Sequence, residues 1–249
     1  MKIPKKISAI TLSLLLVGII ATTFILKNSA QADTLNLNIN TNPALAKTLD
    51  DNIVKMMSAV NENEISNPNL KFSSNPYDFT KNNEYFDKIV NMGYAALPLI
   101  ENYIENSPQS GLAEYLLAIA VEKIAKVDLK NDDSGNKYKW QTAKGFVPEF
   151  NKYLKSVPNS VNTILSSNKT QTEKINALKK LGTPSIPYIM DKFNSSSAEQ
   201  QAVIVLTLDS LLMDDKSIKF DKNVDVKSWI ENNKNKFNDF KIFIDSKSK

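Results

Sequence analysis

The sequence predicts an all-α fold built from antiparallel helix hairpins, and three observations carry that prediction. Apolar residues recur at helical steps through most of the chain beyond residue 41. A pattern of Gly followed by Pro occurs twice, 89 residues apart. No alternating run marks a strand of any length.

Asp33 to Thr41 is polar and Asn-rich and reads as a lead-in. Asn42 then Pro43 reads as a cap followed by a first-turn proline, and Leu45, Leu49, Ile53, Met56, Met57 and Val60 follow at helical spacing, so a helix is predicted from Pro43 to about Val60. Asn61 to Asn83, with Pro68 and Pro76 among clustered Asn and Ser, reads as a long loop. Phe86, Ile89, Met92, Gly93, Leu97, Pro98 and Ile100 then align with Ile175, Leu178, Leu181, Gly182, Ile186, Pro187 and Ile189. Each set describes a helix closed by glycine and a second opened by an apolar-Pro pair. Glycine takes the left-handed closing conformation, and proline in a first turn sacrifices no hydrogen bond. Thr170 with Glu173 and Ser197 with Gln200 have capping-box spacing, and Thr183-Pro184 opens a helix. A third helix is predicted after each hairpin, Gly111 to about Lys126 and Ala198 to about Met213. Between the blocks, Trp140, Phe146, Phe150, Tyr153, Leu154, Val161, Ile164 and Leu165 read as a degenerate hairpin or an insertion. Trp229, Phe237, Phe240 and Ile244 predict a final helix from Asp225 to about Asp245 that covers the last apolar face.

Through Ile89-Val90-Asn91-Met92-Gly93-Tyr94-Ala95-Ala96-Leu97-Pro98 and Leu178-Lys179-Lys180-Leu181-Gly182-Thr183-Pro184-Ser185-Ile186-Pro187, the chain resembles the HEAT-like family of helical repeats. The run from Ser73-Ser74-Asn75-Pro76-Tyr77-Asp78 through Gly111-Leu112-Ala113-Glu114-Tyr115 also resembles secreted proteins of clostridia and related Firmicutes of unassigned role. The resemblance implies HEAT-like hairpins stacked into a short solenoid. The spacing of 89 is about twice one such unit of ~40–47 residues, with no Gly and Pro pair halfway, so the solenoid is expected to be irregular. The expected organisation is a leader at 1–32, a lead-in, helix and loop at 33–83, and a helical repeat domain at 84–249.

The leader reading rests on Lys2, Lys5 and Lys6, the uncharged 20-residue stretch Ile7 to Leu26, and Ala30-Gln31-Ala32. This is the plan of a secretory signal, with Ala30 and Ala32 as the small residues a peptidase reads and cleavage before Asp33. The alternative is a retained anchor, since 20 apolar residues also span a bilayer. Either way the body is expected outside the cytoplasm, secreted or at the cell surface, touching membrane only through an uncleaved leader. All 31 basic residues are Lys, and the four in the leader account for the whole net charge of +4. The balanced remainder and the lack of Arg argue against nucleic acid and against bidentate phosphate grips.

With no Cys and no His, the familiar nucleophilic triads, disulfides and the N and S ligands of zinc are closed to this chain. Three Ser-x-x-Lys matches, Ser134 to Lys137, Ser166 to Lys169 and Ser246 to Lys249, are what this composition yields by chance. Asp221-Lys222-Asn223-Val224-Asp225 alternates oxygen ligands as a calcium loop does, but Val226 and Asn232 stand where such a loop needs Gly and Glu. Asp128, Asn131, Asp132, Asp133 and Gly135 form a second, less regular acidic turn. No catalytic, cofactor or metal residue is therefore assigned, and no cofactor is expected. Glu114 and Glu122 share a helix face and are the pair on which a carboxylate-only hydrolase of envelope glycans or peptides would depend; the competing reading is a solvated edge, or partners for Lys123 and Lys126. Tyr94, Tyr103, Tyr115, Trp140 and Tyr188 are the candidate binding aromatics, with Tyr138 and Tyr153 beside them, and core packing is the competing reading for each. The functional expectation is a protein-binding or peptide-binding module, or scaffold, of the cell envelope; the alternatives are that hydrolase and a structural or sensory ectodomain.

Overall fold

The computed structural model describes residues 42–130, 139–215, 218, 220 and 224–248. Among them every regular element is helical and none is a strand. No helix among them is long and apolar enough to cross a membrane. The stretch Ile7 to Leu26 and the residues Ala30, Ala32 and Asp33 lie outside the described residues.

Helix α1, Pro43–Ser66, begins where Asn42 Oδ1 accepts the amides of Ala44 and Leu45. It runs a turn and a half beyond the expected end. Asn61, Glu62, Asn63 and Glu64 look loop-like because they are polar, yet they continue the helix. Pro68 is what stops it, by driving Asn67 out of helical conformation (φ −129°). The expected loop to Asn83 is further structured by two 3₁₀ turns, Pro68–Phe72 and Pro76–Thr80. Asn83, fully buried, ties this region together. Its Nδ2 donates to the carbonyls of Met56 and Phe79, and its Oδ1 accepts the amide of Phe86.

Helices α2 (Glu84–Asn91), α3 (Leu97–Asn106) and α4 (Leu112–Ala125) form the first block. Gly93, at φ +67°, closes α2 and opens a 3₁₀ turn to Ala96, and Pro98 sits in the first turn of α3. Helix α5, Ala143–Ser166, is one unbroken 24-residue helix; of the two readings of this stretch, a degenerate hairpin or an insertion, the first needs a turn, and no hairpin turn falls within it. Pro148 and Pro158 lie inside it, and each removes the amide that would bond the carbonyl four residues earlier. The helix persists because Phe146, Phe150, Tyr153, Leu154, Val157 and Val161 bury one continuous face. At about 1.5–3 kcal/mol for each large buried side chain, that face outweighs the proline cost of about 3 kcal/mol each.

The second block has the same order of elements: α6 (Gln171–Lys180), a turn at Gly182 (φ +56°), α7 (Ile186–Lys192) and α8 (Ala198–Leu212). Thr170–Glu173 and Ser197–Gln200 form the expected capping boxes, and Pro187 lies in the first turn of α7. The final segment is not one helix. It divides into α9 (Val226–Asn233), a 3₁₀ turn Lys234–Phe237 and α10 (Asn238–Ser246), the same helix, turn and helix order as the Gly-Pro hairpins. Phe237, Phe240 and Ile244 stand where Ile186, Ile189 and Phe193 stand 51 positions earlier, and Trp229 stands where Leu178 does. All eight are buried. Asn233 occupies the glycine position with a right-handed φ of −108°, so this third break needs no glycine and leaves no Gly-Pro signature.

Helix α4 is the hub. Every residue from Leu116 to Val121 is buried, as expected of a helix that is apolar all round. It packs against α2, α3, α5 and the 3₁₀ turn Pro76–Thr80. Helix α6 packs on α8, and α10 reaches α5, α7 and the turn at Gly93. The blocks are also tied by side chains that bond backbone carbonyls, Thr183 Oγ1 donating to that of Ile124 and Lys126 Nζ to that of Leu211.

Candidate functional site

The most distinctive chemistry gathers where α4 ends. Lys126 takes a left-handed φ of +52°, and the amide of Val127 returns to the Glu122 carbonyl, so the chain folds back over the helix. That reversal aims the amides of Leu129 and Lys130 at the Glu122 side chain, whose Oε1 accepts them at 2.8 and 3.2 Å. Trp140 Nε1 donates to the same oxygen at 3.0 Å. Glu122 is 5% exposed, and burial pushes its carboxyl above the usual glutamate range while the three donors oppose the shift.

Around this anchor three rings surround one ammonium. Lys130 Nζ lies 5.0 Å from the Tyr115 ring centroid, 5.3 Å from that of Trp140 and 5.6 Å from that of Tyr77. It also donates to the Tyr115 hydroxyl. Tyr115 comes from the first turn of α4, Trp140 from the approach to α5, and Tyr77 from the 3₁₀ turn that packs on α4. Tyr115 and Trp140 touch at 4.8 Å, and Trp140 continues edge-on into Phe146 at 5.2 Å, which stacks on Phe150. The Tyr77 hydroxyl is pushed up to about 12, first by burial and then by the negative charges of Glu122 and Asp128. Electronegative ring faces backed by carboxylates form an environment for a cation.

Tyr77 and Asp78 are neighbours in one turn, and Asp78 belongs to a second feature. A polar cleft of about 410 Å³ is lined by Asn63, Asn67, Asn69, Asp78, Lys81 and Asn82 among others. Asp78 is held there by Lys81 Nζ at 2.8 Å and by the Ser73 hydroxyl at 2.6 Å, and these bonds keep its carboxyl below the usual aspartate range.

The five aromatics nominated from sequence do not form one open face, because most are drawn into packing. Tyr115 and Trp140 meet in the box, but Trp140 is only 2% exposed. Tyr94 stacks on Phe237 and Phe240 at 5.2 and 5.1 Å. Tyr188 is buried, with its hydroxyl donating to Asp245 Oδ1 at 2.7 Å. Tyr103 is half-buried, and its hydroxyl is pushed up to about 12 chiefly by burial. Tyr77 and Lys130 are not among the binding aromatics and acids that the sequence points to, since one falls in a stretch that reads as loop and the other in an acidic turn. No periodicity connects residues 53 apart.

The acids are engaged structurally. Glu114 accepts the Ser107 hydroxyl at 2.6 Å and the Gly111 amide at 2.8 Å, which closes the N-terminus of α4. Glu114 and Glu122 are neither a solvated edge nor, among the described residues, ion-pair partners of Lys123 and Lys126; both are buried against other donors. Eight residues apart on one helix, their backbones are separated by roughly 12 Å along the axis, and each serves a different loop. Asp225 caps α9 through the Lys227 and Ser228 amides, while Asp221 to Asn223 lie outside the described residues, as do Asn131 to Tyr138. Among the described residues no three His, Cys, Asp or Glu side chains are grouped to hold a metal ion. Ser166 and Ser246 donate to the Asn162 and Phe243 carbonyls, and Ser134 and Lys249 are outside the described residues.

Compared with known proteins, the chain matches no family model, no curated protein and no solved structure.

Proposed function

We propose that this chain is an extracytoplasmic binding module, secreted or held at the cell surface, whose irregular HEAT-like helical array presents the turn Pro76–Thr80 to a protein or peptide partner. The observation that supports the reading is the pairing of two recognition features on that one turn. Tyr77 closes an aromatic box, and Asp78 lines a polar cleft rich in amide side chains. Amides and a carboxylate fixed in a cleft recognise polar backbone, while rings supply contact area at low entropic cost. Phe72 and Ile65, 86% and 75% exposed on the neighbouring elements, add apolar surface a partner would cover. Export of the body follows from the tripartite character of residues 1–32.

The test is photo-crosslinking in intact cells of the source organism expressing the full chain. A photoreactive side chain at Asn69, on the cleft, is expected to give a discrete adduct with an envelope protein, and one at Lys236 is expected to give none. Failure of any adduct from Asn69, or protection of the chain from protease added outside the cell, would overturn the reading.

A further inference from the structure

We infer that the box of Tyr77, Tyr115 and Trp140 is a binding site for a quaternary ammonium head, and that Lys130 occupies it in cis as a built-in competitor. The inference rests on the binding-module reading and names the ligand chemistry of one of its two features. Three rings from three separate elements converge within 5.6 Å of a single ammonium nitrogen. Among the described residues no carboxylate lies within ion-pair distance of that nitrogen; Glu122 Oε1 accepts instead from the Trp140 indole and from the backbone amides of Leu129 and Lys130. Among those residues the ammonium is held by ring faces and one phenol. A primary ammonium is a strongly hydrated cation with three protons to satisfy. A trimethylammonium head has no protons to satisfy, sheds water readily and gains from each ring face it meets, which is the chemistry such cages select. Glu122 and Asp128 add negative charge that the Tyr77 hydroxyl senses, and Glu122 Oε1 is already taken by three donors. Tyr77, Tyr115 and Lys130 are all half-buried, so the lysine side chain has a path to solvent, while Trp140, 2% exposed, forms the inner wall of the box.

The probe is choline, added to the full chain and to Lys130→Ala and Lys130→Met, with the Trp140 indole N–H resonance as readout and 3,3-dimethylbutanol as the neutral analogue of the same shape. Removing the internal competitor is expected to tighten choline binding about tenfold, as for a site whose open state is populated a tenth of the time. The neutral analogue should not bind. Phosphatidylcholine vesicles distinguish a lipid source from a free one, and binding of either supports the site. The inference is overturned if folded variants bind choline no tighter than the wild-type chain, or if the neutral analogue binds equally. It is also overturned if both variants unfold, because Lys130 would then be a structural clasp. Choline binding without an Asn69 adduct would sink only the partner reading; an adduct without choline binding would sink only the ammonium reading.

Discussion

Gly182 lies backbone to backbone against Ala125: a Cβ on the glycine would stand 2.0 Å from the Ala125 carbonyl oxygen and 2.9 Å from that of Lys126. The turn that closes α6 is thus pressed onto the C-terminus of α4, and Thr183 Oγ1 caps the Ile124 carbonyl beside it. Gly93 holds the equivalent place in the first block at φ +67° but has nothing within 4 Å of its missing Cβ. Gly93→Ala should cost only the left-handed strain, about 1–2 kcal/mol. Gly182→Ala adds a backbone clash and should exceed about 3 kcal/mol. Urea unfolding of both variants checks the ranking, and equal losses would show that the two blocks do not interlock here.

Lys247 reaches Glu101 across 146 residues of sequence, at 2.7 Å, and fastens the C-terminal end to α3. Glu101 is 3% exposed, and burial raises its carboxyl above the ordinary value of 4.5 while Lys247 and Asn151 oppose the rise. Lys247→Met should cost about 3 kcal/mol at neutral pH, because it leaves a buried charge unpaired.

The same group sets a pH dependence. A raised carboxyl holds its proton longer folded than unfolded, so its contribution is most favourable below the ordinary glutamate value and declines as pH rises from 4.5 through the folded value. Glu122 acts in the same direction. Glu101→Gln should therefore flatten the fall in stability over that window, as read from melting temperatures. An unchanged slope would mean that Glu101 does not titrate there.

Glu122→Ala should loosen the box without dissolving the core. It deprives the Leu129 and Lys130 amides and the Trp140 indole of their shared acceptor, at about 1–3 kcal/mol. Hydrogen exchange at Leu129 and Lys130 should accelerate while that of α8 stays protected, and Glu122→Gln, which keeps an acceptor oxygen, should restore much of the protection.

Asn83→Ala removes the side chain that satisfies the Met56 carbonyl and the Phe86 amide at once. A loss of about 2–3 kcal/mol is expected from those buried groups. It should be measured alongside Asn67→Ala, an exposed helix end, which should cost well under half as much.

Much of the helical skeleton was legible because its signals are local. Asn42 with Pro43, Thr170 with Glu173, Ser197 with Gln200, Gly93 and Gly182 each act within one turn of backbone and can be read from adjacent letters. Reading failed where polarity stood in for structure, as at Asn61 to Ser66, and where a break came without its usual residue, as at Asn233. The apolar face of α5 outweighed its two prolines, a balance no local rule weighs.

What the sequence by itself determined is the all-helical class, the two glycine-closed and proline-opened turns, and the absence of histidine and cysteine chemistry, because composition and capping depend on residues a few positions apart. Tertiary structure alone decided that Glu101, Glu114 and Glu122 are buried and engaged, that Tyr94 and Tyr188 are drawn into packing, and that Tyr77, Tyr115 and Trp140 close around Lys130. Those outcomes depend on which helices meet across tens of residues, where the free energy of packing, rather than the preference of any one segment, selects the arrangement.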